Sequence, residues 1–286
     1  MASAVAPMRH ISVSKIEKYL QCPLAFKYRY VDKIPEPSAG VLLAGRVVHE
    51  IVEHALKVYA KTEKYPDWQT LDDMFEPTWE KQVKEEEEKE TFLTWQYNAD
   101  DPAEKLKAEA RPLVRVARQD ALSKIKPWMI GNDPVVEYRI DLELDCDIGP
   151  FKLLGFIDLL DASGILMDWK TTRGKVSNRA KKTWLQFAAY SLHVWPLIGD
   201  EIVKCQKIFL IRGDNPRVEF CDFEITPKHR EWFVNIAAQT WKSIYYGIFP
   251  GHNENWSCKP LFCSFFGPCQ EGIFKPDPEE VIDVKG

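Results

Sequence analysis

The chain has 286 residues with 45% hydrophobic and 28% charged side chains, ordinary proportions for a globular protein able to bury a core. Its net charge of -5 excludes a generally basic surface, so any contact with nucleic acid has to use a local patch. The opening residues, MASAVAPMRHISVS, lack a secretory apolar region and no apolar run approaches a membrane span, so a soluble, cytoplasmic protein without membrane contact is expected.

In chain order, Ser14 is expected to cap a first helix over Lys15 to Tyr19, which ends at the Cys22-Pro23 break. LAFKYRYV reads as a second helical segment and Pro35 to Gly40 as a loop. VLLAGRVVHEIVEHALKVYAKT then carries Val47, Val48, Ile51, Val52, Ala55 and Leu56 at helical spacing, which stacks Gly45, His49 and Glu53 one turn apart on one face. From Leu71 to Lys126 the chain is helical in pattern and strongly charged, and the run KEEEEKE reads as a solvated helix face without a function of its own.

Beyond Gly131 the period changes. PVVEYRIDLELDCDIG, FKLLGFIDLL and ILMDWKTT form a predicted antiparallel meander. SNRAKKTWLQFAAYSLHVW returns to helical period and is predicted to stop at Pro196. Strands over 201–212 and 217–225 follow, then a helix over Lys228 to Tyr246 and a tail rich in cysteine and proline. Without repeats or a long linker, the chain reads as one unit with an N-terminal segment (1–35), a helical part (40–130), a core sheet (131–226) and a C-terminal helix with its cysteines (227–286). The expected fold is α/β, a mixed sheet flanked by helices with a helical insertion.

Three charges interrupt the strands of the meander. Asp168 and Lys170 lie two residues apart and so share a face, and Asp158 on the preceding strand is expected to join them there. Two carboxylates and an ammonium are costly to bury without partners. A divalent cation relieves that conflict, since Mg²⁺ takes carboxylate and carbonyl oxygens, lowers the pKa of bound water and stabilises charge on a phosphate. Turn-flanking surface acids paired with Lys170 are the plainer reading of the same residues.

The longer pattern resembles a known family. Asp158, nine intervening residues and Asp168-Trp169-Lys170-Thr171-Thr172 are similar to the core of the PD-(D/E)XK nuclease superfamily, in particular its RecB-like branch with AddB-type nucleases and CRISPR-associated iron–sulfur exonucleases. Gly45-Arg46-Val47-Val48-His49, Gly155-Phe156-Ile157-Asp158 and Gln186-Phe187-Ala188-Ala189-Tyr190 resemble that branch's further motifs, in the same order. The resemblance implies a restriction-endonuclease-like sheet and a Mg²⁺ or Mn²⁺ site made by His49, Asp158, Asp168 and the Trp169 carbonyl. It implies Lys170 as catalytic lysine, with Gln186 and Tyr190 on a helix facing DNA or the catalytic strand. Glu137 reads as an ordinary strand residue, with an acid supporting the metal ligands from behind as the alternative, and His54 and His193 read as structural.

The seven cysteines, an odd count, do not suggest a disulfide framework. Cys146, Cys205 and Cys221 fall in strand-like segments and read as small buried hydrophobes. SVSKIEKYLQCPLAFKYRYV resembles the start of the iron–sulfur members, which implies a [4Fe–4S] cluster on Cys22, Cys258, Cys263 and Cys269 that clasps the two ends of the chain. Four cysteines also suit a structural Zn²⁺. Between Cys258 and Cys263 stand four residues where that group commonly has two.

Arg173, Lys175, Arg179, Lys181 and Lys182 form the strongest local basic stretch, with backbone phosphates as expected partners. Lys27 and Arg29, interleaved with Phe26, Tyr28 and Tyr30, are a candidate second contact. The expected function is a metal-dependent DNA exonuclease preferring single strands, working in recombination, repair or phage DNA processing beside a helicase or recombination protein. A structure-specific endonuclease and a non-catalytic DNA-binding or helicase-associated module are the alternatives.

Overall fold

The computed structural model describes residues 8–89, 93–95, 102–176, 184–260 and 262–274. Helix α1, Val13–Gln21, begins earlier than expected because Ser12, not Ser14, caps it. Ser12 is extended and its hydroxyl accepts the Lys15 N–H at 3.3 Å, while the Ser14 hydroxyl turns to that of Ser12 at 3.0 Å. A short helix, Pro23–Phe26, widens into a π-turn over Lys27–Val31.

Helix α2, Gly40–Thr62, follows its apolar period and buries Leu43, Val47, Val48, Ile51, Val52, Ala55 and Leu56. The charged region folds as a helical insertion that packs on α2. It contains α3, Phe75–Glu87, and α4, Pro102–Ala110, with shorter helices at Trp68–Asp73 and Pro112–Val116. The acidic run is not wholly a solvated face. Glu86 is buried and accepts hydrogen bonds from Ser38, Arg46 and Lys89, so this acid ties α3 to the start of α2.

Five strands make the main sheet: β1 Val136–Leu144, β2 Phe151–Leu160, β3 Leu166–Arg173, β4 Val203–Arg212 and β5 Arg217–Ile225. They lie in chain order; β3 and β4 are parallel and the other neighbours antiparallel. Helix α5, Leu185–Ile198, makes the crossover that a parallel pair requires. It runs past Pro196, because a proline in the last turn removes only one backbone bond, and it stops at Gly199 with φ +69°.

Pairing between β2 and β3 is limited to Leu159 with Met167 and Leu160 with Leu166. Farther along β2, the other edge partner is the N-terminal segment, where Ile11 bonds to the backbone of Lys152 and Leu154. Between these two contacts the β2 edge from Gly155 to Asp158 opens into a gap beside β3.

Apolar side chains fill both faces of the sheet. On one face α2 and the insertion pack Val47, Ile51, Leu71 and Leu113 against Trp169 and Leu210. On the other, α1, α5 and α6, Pro227–Tyr245, pack Ile16, Phe187 and Phe233 against Ile157. Cys205 is buried as expected and Cys221 is half-buried, but Cys146 lies in the turn after β1, its thiol on the Gly149 carbonyl.

The two chain ends are joined by hydrogen bonds. His252 and Asn255 both bond the Gln21 carbonyl, the Gln21 amide donates to Ser257, and Leu24 N–H donates to the Pro250 carbonyl. Among the described residues no helix is long and apolar enough to cross a membrane.

Candidate active site

Two glycines allow the elements around the gap to close up. A Cβ on Gly45 of α2 would lie 2.8 Å from the Thr171 hydroxyl on β3, so glycine brings the helix down onto that strand. A Cβ on Gly155 of β2 would lie 2.7 Å from the Tyr190 ring of α5. The first approach lowers His49, one turn after Gly45, to the sheet. The second seats Tyr190 beside the open edge.

Asp168 and Lys170 share a face of β3, and Lys170 Nζ donates to Asp168 Oδ1 at 2.8 Å and to Gln186 Oε1 at 3.5 Å. Asp158 does not simply share that face. Ile157 and Leu160 pack in the core under α5 while Leu159 packs under α2, so the alternation of β2 breaks at Asp158. Its Oδ2 accepts the Trp169 N–H at 3.0 Å and lies 3.9 Å from His49 Nδ1. Asp158 therefore meets Asp168 and Lys170 across the gap rather than along one flat surface.

Glu137, read from the sequence as an ordinary strand residue in preference to a supporting acid, belongs to this group. It has φ +48°, unusual for a side chain of this kind, and lies across from Asp158 in the β1–β2 pair. His49, Glu137 and Asp158 each bring one ligand atom within 4.8 Å of the others. No periodicity marks Glu137 in the sequence; an acid beside the buried Val135 and Val136 was its only sign.

Burial and the neighbouring Lys170 lower His49 to about 4, so its imidazole is neutral at physiological pH and has a lone pair to offer. Burial and the charge of Asp168 hold the Asp158 carboxyl well above the usual range. Burial, then Glu53, raises Glu137. Burial would lower Lys170, but Asp168 and Asp158 outweigh it and keep the ammonium charged. Tyr190 is pushed up to about 12 by burial and by Asp158, so its hydroxyl keeps its proton.

Asp168 is 3% exposed and its Oδ2 has no hydrogen-bond partner among the described residues. Asp168 lies outside the set that His49, Glu137 and Asp158 form within 4.8 Å; those three donors suit a hard divalent cation, and the unpartnered Asp168 oxygen beside them lacks a positive partner of its own.

The gap opens on two sides. A cleft of ≈ 970 Å³ lies along α2 and is lined by His49, Glu53, Glu137, Lys170 and Arg173. A recess of ≈ 520 Å³ toward α1 and α5 is lined by Ser12, Ser14, Glu17, Lys170, Gln186 and Tyr190. Lys170 reaches both.

Of the expected basic contacts, Arg173 lines the cleft and pairs with Glu109 at 3.2 Å, and Lys175 is exposed beyond the end of β3. Arg179, Lys181 and Lys182 lie outside the described residues. In the second basic patch Lys27 pairs with Asp32 at 2.7 Å and Arg29 with Glu36 at 2.6 Å.

The cysteine clasp also needs correction. Cys22, Cys258, Cys263 and Cys269 all line one cavity of ≈ 50 Å³ between the chain ends. Among the described residues, however, their sulfurs do not form a set within 4.8 Å of one another. The N–H groups of Cys258, Cys263 and Cys269 bond separate carbonyls, those of Asn255, Lys259 and Phe265. Burial in such a cavity favours the neutral form of a thiol. Burial raises the thiols of Cys263 and Cys269 and so favours that neutral form.

A mixed sheet opened at two acids and a lysine, under a histidine-bearing helix, is an arrangement suited to a metal and a phosphodiester. The chain belongs to the PD-(D/E)XK nuclease superfamily, whose family model matches residues 10–270. In fold it is similar to the crystal structure of a "Putative exonuclease" from Eubacterium rectale, with 12% identity and a TM-score of 0.52 over 87% of this chain and 86% of that one. A structure described as SSO0001 aligns with 14% identity and a TM-score of 0.40 over 92% of this chain and 86% of that one. No curated protein sequence matches the chain.

Proposed function

We propose that the chain is a metal-dependent deoxyribonuclease, acting as an exonuclease with a preference for single-stranded DNA. One observation supports this reading above the others: Asp158, Asp168 and Lys170 meet at an opening in the sheet, with an Asp168 oxygen buried and unpartnered. Asp158, Asp168, His49 and the Trp169 carbonyl would hold Mg²⁺ or Mn²⁺, with Glu137 as a further carboxylate ligand. Bound there, the cation acidifies water and offsets charge on the phosphate.

The chain's own groups do the rest. Lys170, anchored by Asp168 and Gln186, sets a fixed positive charge beside the scissile phosphate and stabilises the charge that develops on it. His49 stays neutral, so it does not repel the cation. Tyr190 keeps its proton and can donate to a phosphate oxygen or orient Gln186. The cleft along α2 brings a strand to this group, and the helical insertion beside it favours entry from an end. A helicase or recombination protein that supplies a single-stranded end fits this activity.

End-labelled single-stranded DNA with Mg²⁺ or Mn²⁺ tests the reading. Wild type should degrade it, while Lys170→Ala should bind it and cut about 10²–10³-fold more slowly. Binding without cleavage by wild type, under either metal, would overturn it. Cutting of covalently closed single-stranded circles would replace the exonuclease by an endonuclease.

A thiolate-bound metal, a [4Fe–4S] cluster or a Zn²⁺, is a separate reading that rests on the four cysteines lining one cavity and requires their sulfurs to draw together on binding. Iron and zinc content after anaerobic purification decides between them. A chain holding neither metal would leave the cysteines as packing residues.

A further inference from the structure

The recess on the α1 side of Lys170 carries groups that the chemistry at the metal does not use. Its wall forms where the N-terminal segment leaves the sheet. The Ile11 N–H donates to the Lys152 carbonyl at 2.8 Å and the Ile11 carbonyl accepts the Leu154 N–H at 2.9 Å, after which the chain turns into α1. Ser12, Ser14 and Glu17 line the recess from this segment, Phe156 lines it from β2, and Tyr190 from α5.

Phe156 is 52% exposed between the buried Gly155 and Ile157. Trp232, Tyr246 and Trp256 are about as exposed, but they line neither the recess nor the cleft. The backbone that carries the Phe156 ring is also fixed to the catalytic group. The Tyr190 hydroxyl hydrogen-bonds to the Phe156 backbone and to the Gln186 side chain. Gln186 in turn accepts from Lys170 at 3.5 Å.

Lys170 lines both the recess and the cleft. A phosphate held at its ammonium therefore has the cleft on one side and the recess on the other. Along a nucleic-acid strand the group next to a phosphate is a sugar with its base, so a strand lying in the cleft puts a nucleotide into the recess. Its ≈ 520 Å³ is within the range of roughly 300–1,000 Å³ for pockets that hold compact organic ligands, and a nucleotide is a ligand of that kind. The lining suits one. An aromatic ring stacks on any base. Hydroxyls donate and accept, and a carboxylate accepts from an amino group, which matches the polar atoms of a base edge. In a duplex the Watson–Crick edge is taken by the opposite strand, so only an unpaired base offers it.

We propose that the recess is a nucleobase site, which takes an unpaired base of the substrate strand beside the phosphate at Lys170, stacked on Phe156 with Ser14 and Glu17 at its polar edge. The proposal rests on the nuclease reading for its substrate and gives the preference for single strands a physical cause. Phe156 acts on which strand is bound, not on the breaking of the bond.

Single-stranded oligonucleotides carrying 2-aminopurine, a base whose fluorescence changes on stacking, test it in EDTA without cleavage. The fluorescent base is moved in single steps from each end. With wild type at saturation, its signal should change at one position near one end, which also gives the direction of the strand. Phe156→Ala should abolish that change and weaken binding by about 5–100-fold, the range for loss of one base stack, whereas Phe156→Trp should keep both. Phe156→Leu, which keeps apolar bulk without the ring face, gives the same reading if the alanine protein does not fold. A blunt duplex of the same sequence should show no change.

No responsive position with wild type would overturn the proposal. So would a response that persists in a Phe156→Ala or Phe156→Leu protein of native melting temperature, or one equally strong in the blunt duplex. Absence of cleavage in metal, with the fluorescence change and its dependence on Phe156 intact, would count against the nuclease reading alone.

Discussion

Glu137 stands across from Asp158 between the paired residues Val136–Leu159 and Tyr138–Ile157, with its own backbone at φ +48°. At this point the strand pair changes which core its side chains enter, since Tyr138 and Ile157 pack under α5 while Val136 and Leu159 pack under α2. The reversal turns two carboxylates toward His49 at the lip of the gap. A non-glycine residue in this region costs about 1 kcal/mol or more, so the surrounding structure has to impose it.

Asp158→Asn should stabilise the metal-free protein. Burial and Asp168 raise the Asp158 carboxyl above its ordinary value. The folded state therefore holds this proton over a window where the unfolded chain has lost it, and stability falls as pH rises through that window. At pH 8 in EDTA the variant should melt a few degrees higher, a gain of about 1–2 kcal/mol, and the advantage should shrink at pH 5. Added Mn²⁺ should raise the melting temperature of wild type but not of the variant. A lower melting temperature for Asp158→Asn at both pH values would contradict this account.

Glu137→Gln should weaken Mn²⁺ binding by about 10–100-fold while leaving the fold intact. Calorimetric titration of the metal gives the affinity directly. If Glu137 acts only through the metal, high Mn²⁺ should restore most of the activity. Unaltered affinity would return Glu137 to the role of an ordinary strand residue.

His49 carries pH dependence of the opposite sign. Its folded value of about 4 lies below the ordinary 6.5, so the unfolded chain takes up a proton first as pH falls. Stability from this group is present above about 6.5 and is lost progressively down to about 4. The loss is at most about 3 kcal/mol. Urea unfolding in EDTA at pH 4.5, 5.5 and 7 should show wild type losing stability faster than His49→Gln on acidification. Parallel curves would mean that the imidazole is not buried as described.

Gly155→Ala should destabilise through one contact. The new Cβ meets the Tyr190 ring at 2.7 Å, and displacing the ring costs about 1–3 kcal/mol. Adding Tyr190→Ala should recover part of this loss, because the two positions are coupled. Thermal melts of the single and double variants measure the coupling, and a Gly155→Ala protein as stable as wild type would remove the close approach from the explanation of this glycine.

Much of this architecture was legible in local sequence. The apolar period of α2 places Val47, Val48, Ile51 and Val52 in the core, and the same period lines His49 up with Gly45. The spacing of Asp168 and Lys170 puts them on one face of a strand whatever that strand packs against. Such patterns depend on side-chain geometry within one element, and an element carries that geometry with it.

Other features depend on where elements meet. The side of β2 taken by Asp158 follows from a reversal opposite Glu137 and from the short β2–β3 pairing, neither of which leaves a period to read. Burial of Glu86 requires Ser38 and Arg46, at the start of a helix outside the insertion. The joining of Arg173 and Arg212 through Glu109 depends on parallel strands and on a helix from a separate part of the chain. The cysteines reach a common cavity, but their sulfurs do not converge there within 4.8 Å. Sequence alone determined which residues this protein has for a metal and a phosphate, because residue type and short-range spacing set that chemistry. Tertiary structure decided which of them face one another, because distances across a gap are set by packing and strand pairing between segments remote in the chain.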